Sequence, residues 1–319
     1  MLVNKTDDMK TIQTKLNEKG SITFSPGNYK ITKQLIVSSN TTIDLNGAVL
    51  QRKKSIQSIF LNKVNNNTTG YNGDGNIVIK NGTLEGFGGY SYDNLITFFH
   101  SHDITLINVT FKDILCHGIE FNSCKNVTVK DCKFLGYNLK NPDSAYKECI
   151  QLDYAGYAAF VLKDSNSKSK CYDRTCCSNI TISDCLFTKS DYRDYPYVCI
   201  GEHAQQNNTR KHTNIKILNN EFHCKINNKD VYPCLSFISM ENVEVHENKF
   251  DCPKIARIYS KSYSYTTTGA KVDAKNGEGI CKDIYITNNI LLTPLTKKKA
   301  FTKSNKSGTI EHTNIICKI

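Results

Sequence analysis

The sequence predicts an all-β chain wound as a right-handed single-stranded parallel β-helix, a solenoid with a short N-terminal capping helix. Two observations carry that expectation: one short phrase returns along most of the 319 residues, and a second set of short apolar strands precedes the phrase at nearly every return. The phrase is clearest in KNVTVKDCKFLGY at 125–137, where Val127, Val129, Asp131 and Phe134 set the offsets. They recur in Ile77/Ile79/Asn81/Leu84, Ile104/Leu106/Asn108/Phe111, Ile180/Ile182/Asp184/Phe187, Ile215/Ile217/Asn219/Phe222, Val243/Val245/Glu247/Phe250 and Ile284/Ile286/Asn288/Leu291. Self-similarity of this kind is the signature of stacked units.

Each phrase reads as a strand whose two β-branched or leucine side chains face inward at a period of two. The Asn or Asp that follows tolerates the left-handed backbone of a tight turn, and the next large apolar residue points back to the same interior. Such a rung cannot bury its apolar face alone, so it stacks on copies of itself. Starts at 77, 104, 127, 180, 215, 243 and 284 give a shortest separation a little over twenty residues, one turn of the coil; wider separations are turns carrying loops.

In chain order, residues 7–19 read as an amphipathic helix: Asp7 or Asp8 caps it, Ile12 and Leu16 share a face, and Gly20 stops it. Seated on the first turn, it would cover strand edges otherwise left unpaired. Strands follow at 21–24, 29–31, 35–37 and 42–45. This order of helix, strand, Pro26-Gly27 turn, Tyr29 and then SNTTIDLNGAVL resembles the opening of pectate-lyase-like β-helix proteins, a superfamily that includes polygalacturonases and many phage tailspikes. Residues 62–75 read as a polar loop projecting from the coil. The second strand set is NLITFF at 94, HGIEFN at 117, ECIQLD at 148, VCIGEH at 198, PCLSFI at 233 and ARIYS at 256, which aligns Ile96, Ile119, Ile150, Ile200, Leu235 and Ile258 in one buried column. Loops at 138–147 and 154–176 flank ECIQLD, and 261–279 is a further polar excursion. Residues 1–319 are read as one domain, with the cap at 1–20, coils over 21–293 and a closing segment over 294–319.

Composition bounds the function. A formal net charge of +11 attracts acidic polymers such as uronate polysaccharides or teichoic acids. The basic residues are scattered rather than interleaved with aromatics, apart from 297–299, so nucleic acid is not the expected partner. The 14 cysteines lack paired Cys-x-x-Cys spacing. Cys132 and Cys185 share one repeat offset and Cys149, Cys199 and Cys234 another, which reads as ladders of small, reduced, buried residues with no metal role. MLVNKTDDMK lacks the charged start and apolar core of a Sec signal peptide, so the expected location is virion-associated, extracellular or cell-surface by a non-Sec route, otherwise cytoplasmic. No stretch is long and apolar enough to suggest membrane insertion.

With Ile119, Ile150 and Ile200 inward, alternate residues are expected to face solvent. Glu120, Gln151, Gly201 and Ser236 form one outward column and Asn122, Asp153 and His203 the next, with His117 level with Glu148 and Glu202 close by. Neighbouring strands are about 4.8 Å apart, so the patch gathers acids and imidazoles over three rungs. Glycosidic cleavage needs one carboxylic acid to protonate the leaving oxygen and one carboxylate to activate water or attack, about 5–9.5 Å apart. Crowded carboxylates also raise one pKa and so supply the acid. The candidate catalytic set is Glu148 with Asp153 as the main pair, Glu120 or Glu202 in support, and His117 and His203. Gln151, Asn122, Arg257 and Lys147 are candidate substrate-binding residues, and Tyr154, Tyr157 and Tyr197 candidate sugar-stacking faces.

These strands carry a further resemblance. Polygalacturonases place NTDG, DDC, GHG and RIK motifs on consecutive rungs, where this chain reads CHGIE, KECIQ, CIGEH and ARIYS. Glu148-Cys149 matches the second acid of DDC, and Arg257-Ile258 the start of RIK; His117 replaces the first Asp, Lys147 replaces an acid, and His203 follows the glycine one residue late. HGIEF, ECIQLD and IGEH are more similar to bacterial and phage β-helix proteins. Resemblance to pectate lyases implies a second chemistry, in which Glu120, Glu148 and Asp153 hold Ca²⁺ against a uronate and Arg257 or Lys147 takes the proton. Resemblance to phage spikes implies a homotrimer.

The function expected is an endo-acting glycoside hydrolase that depolymerises a cell-surface or acidic polysaccharide without a cofactor. The alternatives are a Ca²⁺-dependent polysaccharide lyase and a non-catalytic glycan-binding adhesin or receptor-binding protein that uses the same face without turnover.

Overall fold

The computed structural model describes residues 1–86, 93–137, 148–157, 162–202, 210–224, 232–260, 263–265, 271–273, 281–293, 301–305 and 315–317. Among them the chain is all-β apart from one short helix. Parallel strands stack into an eighteen-strand and a nine-strand sheet, and Tyr263–Tyr265 with Lys271–Asp273 form an antiparallel pair.

The stacking follows the repeated phrase. Ile104 pairs with Ile77 on one side and Val127 on the other, and the column continues through Ile180, Ile215, Val243 and Ile284, all buried. The aromatic column stacks likewise: ring centroids are 4.8 Å apart for Phe111 and Phe134, 4.5 Å for Phe134 and Phe187, 4.9 Å for Phe187 and Phe222, and 5.0 Å for Phe222 and Phe250. These separations match the spacing of parallel strands, so each ring rests on the next.

Between the two strands of a phrase the backbone turns through a left-handed residue. Asn81, Asn108, Asp131, Asp184, Asn219 and Asn288 hold φ between 52° and 60°, and Glu247 takes the same position at 61°. The residue that follows faces inward. At Asn220, Asn248 and Asn289 it forms a buried amide ladder, in which Asn220 N donates to Asn248 Oδ1 at 2.8 Å and Asn248 N to Asn289 Oδ1 at 3.0 Å. Backbone groups that leave the sheet at the turn thereby find side-chain partners. A second left-handed column at Asn126, Asn179, Asn214 and Asn242 carries an exposed amide ladder, which the repeat offsets do not announce.

The helix is Met9–Asn17, with Asp8 at its N-cap accepting from Thr11 N at 2.7 Å and with Ile12 and Leu16 buried in the same core as the rungs. Strands Gly20–Phe24, Asn28–Ile31, Leu35–Val37 and Thr41–Asp44 fall where the sequence places them. One expectation is corrected. Leu235 pairs with Ala256, and Ile258 instead pairs with Phe237, because the incoming strand is offset by one pleat. The closing segment carries strands of its own: Phe301–Asn305 pairs with Ala256–Ser260 and Ile315–Cys317 with Lys282–Thr287, extending both sheets. No helix among the described residues is long and apolar enough to cross a membrane.

Candidate functional site

The nine-strand sheet aligns the residues that the sequence nominates. Glu120 sits level with Thr97 and Gln151, Gln151 with Gly201, Gly201 with Ser236, and Ser236 with Arg257. Asn122 sits level with Asp153, and His117 Nδ1 is 2.7 Å from the backbone oxygen of Glu148. His203 and Lys147 lie outside the described residues.

This face does not open to solvent, contrary to expectation. Glu120 is 5%, Glu148 2%, Asp153 1% and Glu202 0% exposed, and Asn122, Gln151 and His117 are buried with them. Part of the reason is loop packing. Residues 62–75 do not project; they fold against residues 162–176, with Cys171 N donating to Asn66 O at 3.0 Å, Gly70 N to Asp173 Oδ2 at 2.7 Å and Tyr71 OH to Cys176 O at 2.9 Å. The His100 ring bridges the two loops, its nitrogens 2.6 Å from Gly70 O and from Cys171 O. Leu61, Phe99, Ala155, Cys171 and Tyr172 form a small second apolar cluster there.

The buried acids separate into two groups. At the leading edge, Glu120 Oε2 accepts from Asn94 Nδ2 at 2.5 Å, while Asn94 Oδ1 accepts from His117 N at 3.2 Å. Burial pushes the nearby Cys116 thiol well above the usual thiol range, and Glu120, Glu148 and Asp93 around it add to the effect. Asp93 lies 3.3 Å from the fully buried Arg52. At the trailing edge, Asp153 accepts from Gln151 Nε2 at 2.9 Å and from Tyr154 N at 2.7 Å. Glu202 Oε2 faces His212 Nε2 at 3.5 Å, and both side chains are inaccessible to solvent. Cys177 N donates to His212 Nδ1 at 2.9 Å, which places the ring proton of the neutral imidazole on Nε2, toward Glu202. Burial raises the Tyr154 hydroxyl and the Cys176 thiol, and Asp153 and Glu202 raise both further.

The structure therefore does not unite the expected main pair. Glu148 and Asp153 are the two ends of the strand Glu148–Asp153. Five residue steps of about 3.3 Å set their backbones about 16 Å apart, outside the range of about 5–9.5 Å for paired catalytic carboxyls. The same separation prevents Glu120, Glu148 and Asp153 from sharing one Ca²⁺ at the usual ligand distances. Asp153 and Glu202 lie on adjacent rungs one register position apart, Glu202 falling level with Leu152, and both bear on the Tyr154 hydroxyl and the Cys176 thiol.

Among the candidate binding side chains, Tyr197 is buried and packs edge-on against Tyr137 and Tyr232, with ring centroids 6.3 and 5.2 Å away, so it offers no sugar-stacking face. Tyr154 and Arg257 are half-buried, Arg257 Nη2 donating to Ser236 Oγ at 2.9 Å, while Tyr157 reaches solvent. A more exposed aromatic escaped the sequence reading. Tyr192 is 76% exposed on a loop pinned by the bridge between Asp194 and Tyr137, and Lys112 Nζ lies 5.5 Å from its ring centroid. The signal was the run KSDYRDYPY, in which tyrosines alternate with charges. Beneath the loops, both amide ends of Asn122 and the Oε1 of Gln151 find no hydrogen-bond partner among the described residues. An unmet buried polar atom costs about 1–3 kcal/mol, so ordered water or a ligand hydroxyl is the expected complement.

No protein-family model matches the chain. It is 30% identical over 223 residues to the plasmin and fibronectin-binding protein A of Streptococcus pneumoniae (strain ATCC BAA-255 / R6), a match covering 66% of this chain and 29% of that protein's length. A crystal structure of PfbA, a surface adhesin of Streptococcus pneumoniae, superposes with a TM-score of 0.67 at 23% identity, covering 90% of this chain and 70% of that one. A second structure of that adhesin gives 0.67 at 21% identity, covering 91% and 77%.

Proposed function

We infer, from the premise that this chain is a right-handed parallel β-helix protein, that it is a binding module of the adhesin kind, working at a cell surface or outside the cell and holding its ligand without turnover. One observation carries the reading: the four acids that a two-carboxylate hydrolase would need are buried and engaged with neighbouring groups. A general acid must reach the leaving oxygen, within hydrogen-bond distance of the substrate. The relative's name supports plasmin and fibronectin as ligands, and the net charge of +11 supports an acidic glycan. In this reading the helix Met9–Asn17 closes the coil and contributes nothing to the ligand surface.

The ligand surface is the rim around the leading edge, where Tyr192 presents a rigid aromatic face beside a lysine. Exposed tyrosines of this kind dominate binding energy where they occur at interfaces. Immobilised protein is expected to retain at least one member of a panel of plasmin, fibronectin, teichoic acid and uronic polymers. Tyr192→Ala should weaken that binding about tenfold, or ~1.4 kcal/mol, whereas Asp153→Asn should leave it unchanged. Retention of no panel member, or loss on Asp153→Asn alone, argues against the reading.

A second reading keeps turnover and rests on the unmatched amide of Asn122 and the unmatched Oε1 of Gln151 beside Asp153. They suit sugar hydroxyls that would enter if the covering loops parted, and hydrolysis would then depend on Asp153 and Glu202 together.

A further inference from the structure

Three cysteine sulfurs meet in the core at one corner of the coil, with a fourth cysteine on the next turn. The sulfurs of Cys199, Cys224 and Cys234 all lie within 4.8 Å of one another, those of Cys199 and Cys224 being 3.1 Å apart. Cys252 lies level with Cys224 on the next turn, outside that group of three mutually close sulfurs, and all four side chains are buried. Their placement follows from register. Ile200 pairs with Leu235, which stacks Cys199 on Cys234, and Phe222 pairs with Phe250, which stacks Cys224 on Cys252. Two columns thus face each other across the corner, each with two cysteines at the same two levels.

The pattern is not what small-residue packing alone would give. Two residues past the stacked aromatic, earlier rungs carry Asp113, Gly136 and Lys189 and the last carries Thr293; cysteine occupies this position only at the two rungs facing Cys199 and Cys234. A tetrahedral site with zinc–sulfur bonds of about 2.3 Å sets its sulfurs about 3.8 Å apart, and the sulfurs of Cys199, Cys224 and Cys234 lie between 3.1 and 4.8 Å from one another. Each ligating thiol releases its proton to solvent as the bond to the cation forms, with no change of oxidation state. A donor set of sulfur alone favours soft, thiophilic cations over calcium or magnesium.

We propose that Cys199, Cys224 and Cys234, with Cys252 swinging in from the next turn as the fourth ligand, form a structural site for a thiophilic d¹⁰ cation, zinc foremost, which staples two successive turns of the coil. The site is closed, with no position for substrate, and is separate from the buried acids.

The full chain, purified under reducing conditions and loaded with zinc, is expected to hold one zinc ion per molecule by elemental analysis. Cobalt loading should give the thiolate charge-transfer band and the intense visible bands of tetrahedral coordination. Cys224→Ala/Cys234→Ala should lower the bound metal at least tenfold, Cys185→Ala should leave it unchanged, and a chelator should lower the melting temperature of the wild type only where the metal was bound. Failure of the wild-type chain to take up either metal overturns the proposal without reference to any variant. So does a disulfide between Cys199 and Cys224 in that reduced preparation, or equal metal content in the double variant.

Discussion

Phe187→Ala is expected to destabilise the chain by ~3–5 kcal/mol, the usual range for truncating a buried phenylalanine. Phe187 is fully buried and lies between Phe134 at 4.5 Å and Phe222 at 4.9 Å, so its removal leaves a void with rings above and below. The strands around it are held in register by their ladders, so the cavity cannot close by a local shift. Chemical denaturation followed by far-ultraviolet circular dichroism measures the effect. Ile290→Ala, at a residue 55% exposed, serves as the control and should cost less than about 0.5 kcal/mol. A cost at Phe187 no larger than the control's would mean that the rungs do not stack through their aromatic column.

The second large effect concerns the pair beneath the trailing edge. His212→Leu removes both the neighbour of the Glu202 carboxylate and the acceptor of the Cys177 N–H, at a site with no access to solvent. Breaking a buried pair from one side costs about 3–5 kcal/mol, whereas replacing both partners by apolar groups can be nearly neutral. The double variant Glu202→Leu/His212→Leu should therefore be more stable than His212→Leu alone. A thermodynamic cycle of the two singles and the double reads the coupling directly. Additive losses would show that Glu202 and His212 do not act as a unit.

The fold was legible because its determinants are local and repeated. An inward pair of β-branched residues, a left-handed Asn or Asp and a following Phe specify each rung, and the register observed at Ile104, Val127 and Ile180 is the one their offsets imply. Even Cys132 and Cys185 stack as their shared offset suggests. The Ile258 slip was not legible, since Ala256 and Ile258 both face the core and only pairing with the preceding strand decides which of them lies level with Leu235. The site was half legible. Register correctly aligned Glu120 with Gln151 and Asn122 with Asp153, yet the sequence could not show that residues 62–75 and 162–176 close on each other. That contact joins segments about a hundred residues apart, and their polar composition suits an exposed loop as well as a covering one. Pairing Glu148 with Asp153 overlooked the rise of a strand, which carries the two ends of one extended segment apart. The cysteine corner was hidden for a related reason: Cys224 and Cys252 become neighbours of Cys199 and Cys234 only when the coil closes.

The central claim is that the buried acids of the nine-strand sheet maintain the structure while the protein binds without cleaving. Incubation of the full chain with capsular, teichoic and uronic polymers, with reducing ends and unsaturated uronate products followed over time, tests it most directly. Neither product is expected to accumulate, even with a polymer the protein retains. Reducing ends that appear with the wild type and vanish in both Asp153→Asn and Glu202→Gln would contradict it.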